Sequence, residues 1–136
     1  MIEQIEFRLP AKSRGCHLVT DEILRHITRL PEKGILNIFV KHTSCGLSIN
    51  ENADPDVRTD LAGIMDHLVP ERQSFFEHTL EGDDDMPAHA KSSIFGVSLS
   101  IPISNHRLNL GTWQGIYLCE FRNYGGERTI VLTVYS

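Results

Sequence analysis

LNLGTWQGIYLCEFRNYGGERTIVLTVYS, residues 108–136, decides the fold class. It reads as a long strand from about Leu108 to Arg122, a turn at NYGGE and a second strand RTIVLTVYS, so the two strands are expected to form a hairpin. Gly111 and Gly115 weaken the first strand and mark a bulge or a place where another backbone or a ligand comes close. Between them Trp113 offers a flat stacking surface and Gln114 an amide. Glu120 and Arg122 share one face, which either reaches into a site or simply makes a cross-strand ion pair with Arg128.

Strand signals continue on the N-terminal side. EQIEFRL (residues 3–9) alternates apolar and charged residues with period two, and ILNIFVKHT (35–43) is β-rich enough for a central strand. GLSIN (46–50) reads as its continuation or partner, and VSLSIPI (97–103) as a further strand before a turn at SNHR. Helices are fewer. Thr20 caps a short amphipathic segment with Ile23, Leu24, Ile27 and Leu30 at helical spacing, ending at Pro31. Asp54 and Pro55 start a second helix, whose stripe Val57, Leu61, Ile64, Met65 and Leu68 runs to Pro70. MPAHAKSSIFG (86–96) makes a third, with Gly96 as C-terminal cap. Strands dominate and no βαβ unit recurs, so the expected class is α+β, mostly antiparallel sheet with two or three inserted helices.

Length and composition bound the rest. A chain of 136 residues fits a single domain, 1–136, that buries roughly two thirds of its unfolded surface. Thirteen Lys and Arg against eighteen Asp and Glu leave a net charge of -5 with no basic cluster, which argues against nucleic acid as a partner. No apolar run approaches the ~20 residues of a membrane span. Three widely spaced cysteines without a CxxC pair suggest neither a disulfide framework nor a zinc knuckle, and a reducing, cytoplasmic setting fits them.

Three polar constellations could carry chemistry. In the first, His42 stands at a strand end, followed by Ser44, Cys45, Asn50, Glu51 and Asp54, the last read as a helix cap. No neighbour lowers the pKa of Cys45, so it reads as packing rather than nucleophile. In the second, His78 and His89 flank Asp83, Asp84 and Asp85, with Lys91 and Ser92 following. Imidazoles with a carboxylate suit a divalent ion, and a helix N-terminus with Lys and Ser suits phosphate; the bland reading of the acidic run is a solvated helix cap. The third is the Trp113–Gln114 stretch.

Together HTSCGLSINENADPDVRTD (42–60), EGDDDMPAHAKSSIFG (81–96) and LGTWQGIYLCEFR (110–122), with AKSRGCHLVTDEI near the N-terminus, resemble the signature blocks of the YjbQ-like proteins, the secondary thiamine-phosphate synthase family. The resemblance implies a compact α+β homotrimer whose motifs meet in a pocket near subunit boundaries. It also implies coupling of hydroxymethylpyrimidine pyrophosphate to thiazole phosphate with release of pyrophosphate. Carried onto this chain, His42, Glu51, His89 and Glu120 would be catalytic, while Ser44, Asn50, Lys91, Ser92, Trp113 and Gln114 would bind substrate. The metal would be held by His42, His78, Asp85 and His89. Mg2+ on Asp85 with Glu51 or Asp84 suits the synthase, whereas an imidazole-rich set suits Zn2+ and a hydrolase. A trimeric protein binding a metal or small phosphorylated ligand without turnover is the reading from another class, so whether the chain is an enzyme stays open here.

Overall fold

The structure is a computed structural model describing residues 1–136. Its elements in chain order are β1 (Ile2–Leu9), β2 (Gly15–Leu18), α1 (Thr20–Leu24), β3 (Lys33–Val40), β4 (Cys45–Glu51), α2 (Pro55–Leu68), α3 (Asp85–Phe95), β5 (Ser98–Ser104), β6 (Arg107–Leu108), β7 (Gln114–Glu120) and β8 (Arg128–Tyr135). They build a five-stranded sheet in the order β1-β8-β3-β5-β6 and a three-stranded sheet in the order β2-β7-β4. Every pairing is antiparallel, and the class is α+β. No helix is long and apolar enough to cross a membrane.

The inner residues of both sheets form one apolar cluster. Leu36, Ile38, Ile101, Ile130 and Leu132 from the large sheet meet Leu47, Ile116 and Leu118 from the small one, each side chain contributing about 1.5–3 kcal/mol by its burial. The opposite face of the small sheet carries Cys16, Tyr117, Cys119 and Phe121, packed against Ala88 and Phe95 of α3 and Leu61 of α2. The small sheet is therefore a middle layer, covered by the large sheet on one side and by helices on the other.

That layering corrects three expectations. β7 and β8 are not a hairpin: β7 pairs with β2 and β4, and β8 with β1 and β3. β7 is buried on both faces from Gly115 to Glu120, β8 mainly on one, and each is an interior strand of its own sheet. The NYGGE segment carries the chain between sheets, with Gly126 at φ 74° and Gly125 against the Glu120 carboxylate, where no Cβ would fit. β4 is likewise neither continuation nor partner of β3. The long strand expected from Leu108 is interrupted at 109–113, because Gln114 Oε1 accepts a hydrogen bond from the Gly111 N–H at 2.7 Å and closes a turn. Gly115 does mark a close approach: a Cβ there would lie 2.7 Å from Leu18 and 3.0 Å from Asn52.

The helices follow their local signals unevenly. Asp54 caps α2 by accepting from Asp56 N–H at 2.9 Å, and α2 ends at Leu68, before Pro70. Its stripe is only partly covered, since Met65 is buried while Ile64 and Leu68 are exposed. α1 stops at Leu24. Thr20 does not cap it, because its hydroxyl accepts from Ile116 N–H of β7 at 2.9 Å. α3 ends as expected at Gly96, whose φ is 89°.

Candidate metal centre

Asp85 opens α3, and one turn later His89 stands on the same face. The i,i+4 spacing brings His89 Nε2 to 3.1 Å from Asp85 Oδ2. The loop before α3 adds His78, whose Nε2 lies 2.6 Å from the same oxygen. The three donor atoms fall within 4.8 Å of one another. His89 Nδ1 is 2.9 Å from the Thr43 carbonyl oxygen, which only accepts, so Nδ1 carries the proton. In the uncharged ring, that places the Nε2 lone pair toward the carboxylate oxygen. Two acceptors at that distance need a proton or a metal cation between them.

The surroundings fix the carboxylate. Asp85 Oδ1 is 2.8 Å from Arg122 Nη1, and Arg122 in turn binds Asp84 Oδ2 at 2.9 Å and the Glu81 carbonyl at 3.0 Å. Burial alone would push the Asp85 carboxyl up. The interactions with His78, His89 and Arg122 outweigh it and hold the group below the usual carboxylate range. Backbone carbonyls and charged groups that orient ligating imidazoles and carboxylates are what a metal site requires around its donors. The acidic run is thus not a solvated cap. Asp85 faces the imidazoles, Asp84 serves Arg122 and the Asn123 N–H, and only Asp83 is outside, paired with Arg72 at 3.2 Å.

His42 was expected as a ligand and stands apart. Its Nε2 accepts the Thr129 N–H at 2.8 Å, which occupies that lone pair and leaves the proton on Nδ1. Burial, reinforced by the Arg128 charge, holds His42 below the usual histidine range, consistent with a neutral ring that donates and does not ligate. It still shares a site with His89: both line an open cleft of about 640 Å³ with Lys41, Thr43, Ser92 and Ser93. Ser92 is 4 % exposed.

The remaining expected residues divide between the interior and the far end of the small sheet. Glu120 is fully buried and held by Arg128 at 2.7 and 2.5 Å and by Arg122 N–H at 3.1 Å. It is a counter-ion to Arg128 and has no free oxygen for catalysis. Ser44 accepts from Arg128 Nη2 through its hydroxyl and carbonyl. Lys91 is 1 % exposed and paired with Asp66 at 2.5 Å, so it turns away from the cleft that Ser92 lines.

Asn50, Glu51, Trp113 and Gln114 lie at the other end of β4 and β7. Cys45 pairs with Glu120 at one end of that ladder and Glu51 with Gln114 at the other, a separation of about 20 Å at ~3.3 Å per residue. These polar groups serve their own backbone. Glu51 accepts from Ala53 and Asp54 N–H, Asn50 from Glu51 N–H, and Trp113 is 64 % exposed on its turn. The expected single pocket is therefore two sites in one chain. Arg122, expected either to reach a site or to sit in an ion pair on its strand, reaches Asp85, and Thr43 acts through its backbone carbonyl.

Comparison with known proteins agrees with these motifs. The family model described as UPF0047 protein YjbQ-like matches residues 3–136. UPF0047 protein YjbQ of Escherichia coli O157:H7 is 48% identical over 128 residues, covering 93% of this chain and 92% of that protein. UPF0047 protein YugU of Bacillus subtilis is 46% identical over 104 residues, 74% of each chain. Among solved structures, a conserved hypothetical protein from Thermus thermophilus superposes with a TM-score of 0.80 at 33% identity, covering 95% of this chain and 97% of that one. A YbjQ-like protein of unknown function from Sulfolobus solfataricus shares the fold at a TM-score of 0.85 and 22% identity, covering 98% and 96%. The chain belongs to the YjbQ-like UPF0047 family.

Proposed function

We propose that this protein is a metal-dependent phosphoryl- or pyrophosphoryl-handling protein whose divalent transition ion is held by His78, Asp85 and His89. The observation that carries this is the convergence of two imidazole Nε2 atoms on one Asp85 oxygen, with His89 Nδ1 spent on the Thr43 carbonyl. Two imidazoles and a carboxylate suit zinc better than Mg2+, which prefers oxygen donors, and three protein donors are the number that catalytic zinc sites use. When bound, the ion supplies Lewis-acid polarisation of a substrate oxygen. The chain's own groups do the rest. His42 donates from Nδ1, Ser92 offers a hydroxyl, and Lys41 adds positive charge to the cleft that receives the anion.

Hydrolysis of a phosphate ester is the reading this arrangement favours. The coupling of pyrimidine and thiazole phosphates that the family resemblance implies needs the same ion, an aromatic platform and a second anion site. Trp113 and Lys91, the expected sources, lie away from the cleft in one chain. That reaction therefore fits an assembly in which a second copy brings its exposed Trp113 turn to the cleft, and a homotrimer is proposed in that form. Three free cysteines fit a reducing cytoplasm.

Metal analysis of protein purified without added zinc or chelator, followed by zinc titration of the stripped protein, tests the centre. About one ion per chain is expected, with affinity lowered at least ~100-fold by Asp85→Asn and by His89→Gln. His42→Gln should leave affinity within about threefold, because His42 touches no ligand atom. Unchanged binding in His89→Gln refutes the centre. Complementation of a strain lacking thiamine-phosphate synthase by wild type but not by His89→Ala would support the coupling reaction, and light scattering reads the trimer.

A further inference from the structure

The segment between α2 and α3 supplies His78 to the centre and also builds an apolar groove of about 520 Å³ on the flank of the imidazole pair. Leu68, Pro70, Phe76, Met86, Ala90 and His78 are among its walls, and its size falls in the range of ligand pockets, roughly 300–1,000 Å³. Such apolar surface normally collapses or is covered. Here two ion pairs anchor the segment: Glu71 binds Arg14 at 2.9 Å and Arg72 binds Asp83 at 3.2 Å.

α3 sets where the groove lies. Asp85 and His89 occupy one face, and Met86 and Ala90 occupy the stripe about 100° further round. His78 is shared, because its ring both approaches Asp85 and walls the groove. His89 is its counterpart on the other side, walling the cleft that holds Ser92 and His42. An oxyanion at the centre consequently has two neighbouring spaces. The cleft offers hydrogen-bond donors and Lys41, suited to charged oxygens. The groove offers carbon and the carboxylate of Glu77, which repels a second anion.

We infer that the groove is the subsite for a neutral, aryl-sized group carried by the same ligand whose oxyanion the centre binds. The substrate class is then an aryl or similarly apolar monoester rather than an inorganic or sugar phosphate. This rests on the reading of His78, Asp85 and His89 as a metal centre. Phe76, Met86 and the His78 ring supply flat and polarizable contacts for such a group.

Calorimetric titration of zinc-loaded protein with methylphosphonate and phenylphosphonate tests the inference. Phenylphosphonate is expected to bind about 10- to 100-fold tighter, as burial of one phenyl ring predicts. Phe76→Ala should remove most of that advantage by loss of a wall, and Ala90→Phe should do so by filling the groove. Both variants should keep methylphosphonate affinity within about twofold, since neither residue lines the anion cleft. Equal affinity of the two phosphonates for the wild type overturns the groove assignment and leaves the metal centre standing. Binding of phenylphosphonate equally well by metal-free protein also overturns it, because the groove would then act without the centre. If neither phosphonate binds, the anion reading and the groove assignment fall together.

Discussion

Replacing Glu120 by Gln separates a core role from a catalytic one. The side chain is fully buried, and its partner Arg128 is 4 % exposed. Glutamine keeps the shape but leaves the guanidinium inside the protein without its counter-ion, a loss of about 3–5 kcal/mol. With an unfolding entropy of ~2.1 cal/mol/K per residue, a chain of 136 residues loses about 10–17 °C of Tm for that change. The assay is thermal and urea unfolding of wild type, Glu120→Gln, Arg128→Met and the double variant. The double variant should regain much of the loss, because an apolar replacement of a buried pair is often neutral. Zinc affinity should change less than threefold in Glu120→Gln, as no ligand atom touches Glu120. A destabilisation below about 1 kcal/mol together with abolished zinc binding would refute the reasoning and return Glu120 to the site.

Lys91→Met should alter stability by no more than about 1 kcal/mol, since an ammonium buried at 1 % exposure is exchanged for a hydrocarbon and Asp66 is open to water; phosphate affinity by calorimetry should not change. Asp84→Asn should cost about 1–3 kcal/mol near neutral pH. Burial alone would raise the Asp84 carboxyl, but the hydrogen bonds of Asn123 N–H and Arg122 outweigh it and hold the group low. Its contribution is thus complete above the unfolded value of about 3.9 and is lost as pH falls through the folded one, so urea melts should show wild type and variant converging in acid. Burial pushes the Cys45 thiol up to about 11, and the Cys16 hydrogen bond and burial push Cys119 up as well. Ellman's reagent at pH 8 should accordingly modify at most one thiol in the native protein and all three in guanidinium.

What the sequence disclosed was what its local signals carried. The alternation of EQIEFRL became β1, and Asp54 with Pro55 became a capped helix start, because both depend on neighbours within a few residues. The partnership of β7 and β8 was illegible. Apolar residues on both faces announce a central strand without saying of which sheet, and the glycines that looked like a hairpin turn instead serve a crossing. Ile27 and Leu30 kept their apolar role beside the core although α1 stops short of them.

The site divides along the same line. His78 and His89 were readable as flanking an acidic run, but which of its carboxylates meets them was not, because the direction of a side chain is set by distant partners. Nothing near Lys91 in sequence announces Asp66. Nothing near His42 announces Thr129, whose backbone removes the imidazole from the ligand set. The motif at residues 50–54 and the Trp113 turn look contiguous with the cluster in pattern and lie at the opposite end of a seven-residue ladder in space.

β8 bears on the order in which the molecule can assemble during synthesis. It is the last of the strands to be made, yet it lies between β1 and β3, with β1 pairing Ile2 to Tyr135 across nearly the whole chain. Until it emerges, both of those strands present open edges, and pairing over such separation is slow. The same strand begins with Arg128 and Thr129, which neutralise Glu120 and orient His42. The cleft beside the imidazole pair therefore takes its final form only when the large sheet closes, after the last strand has been made.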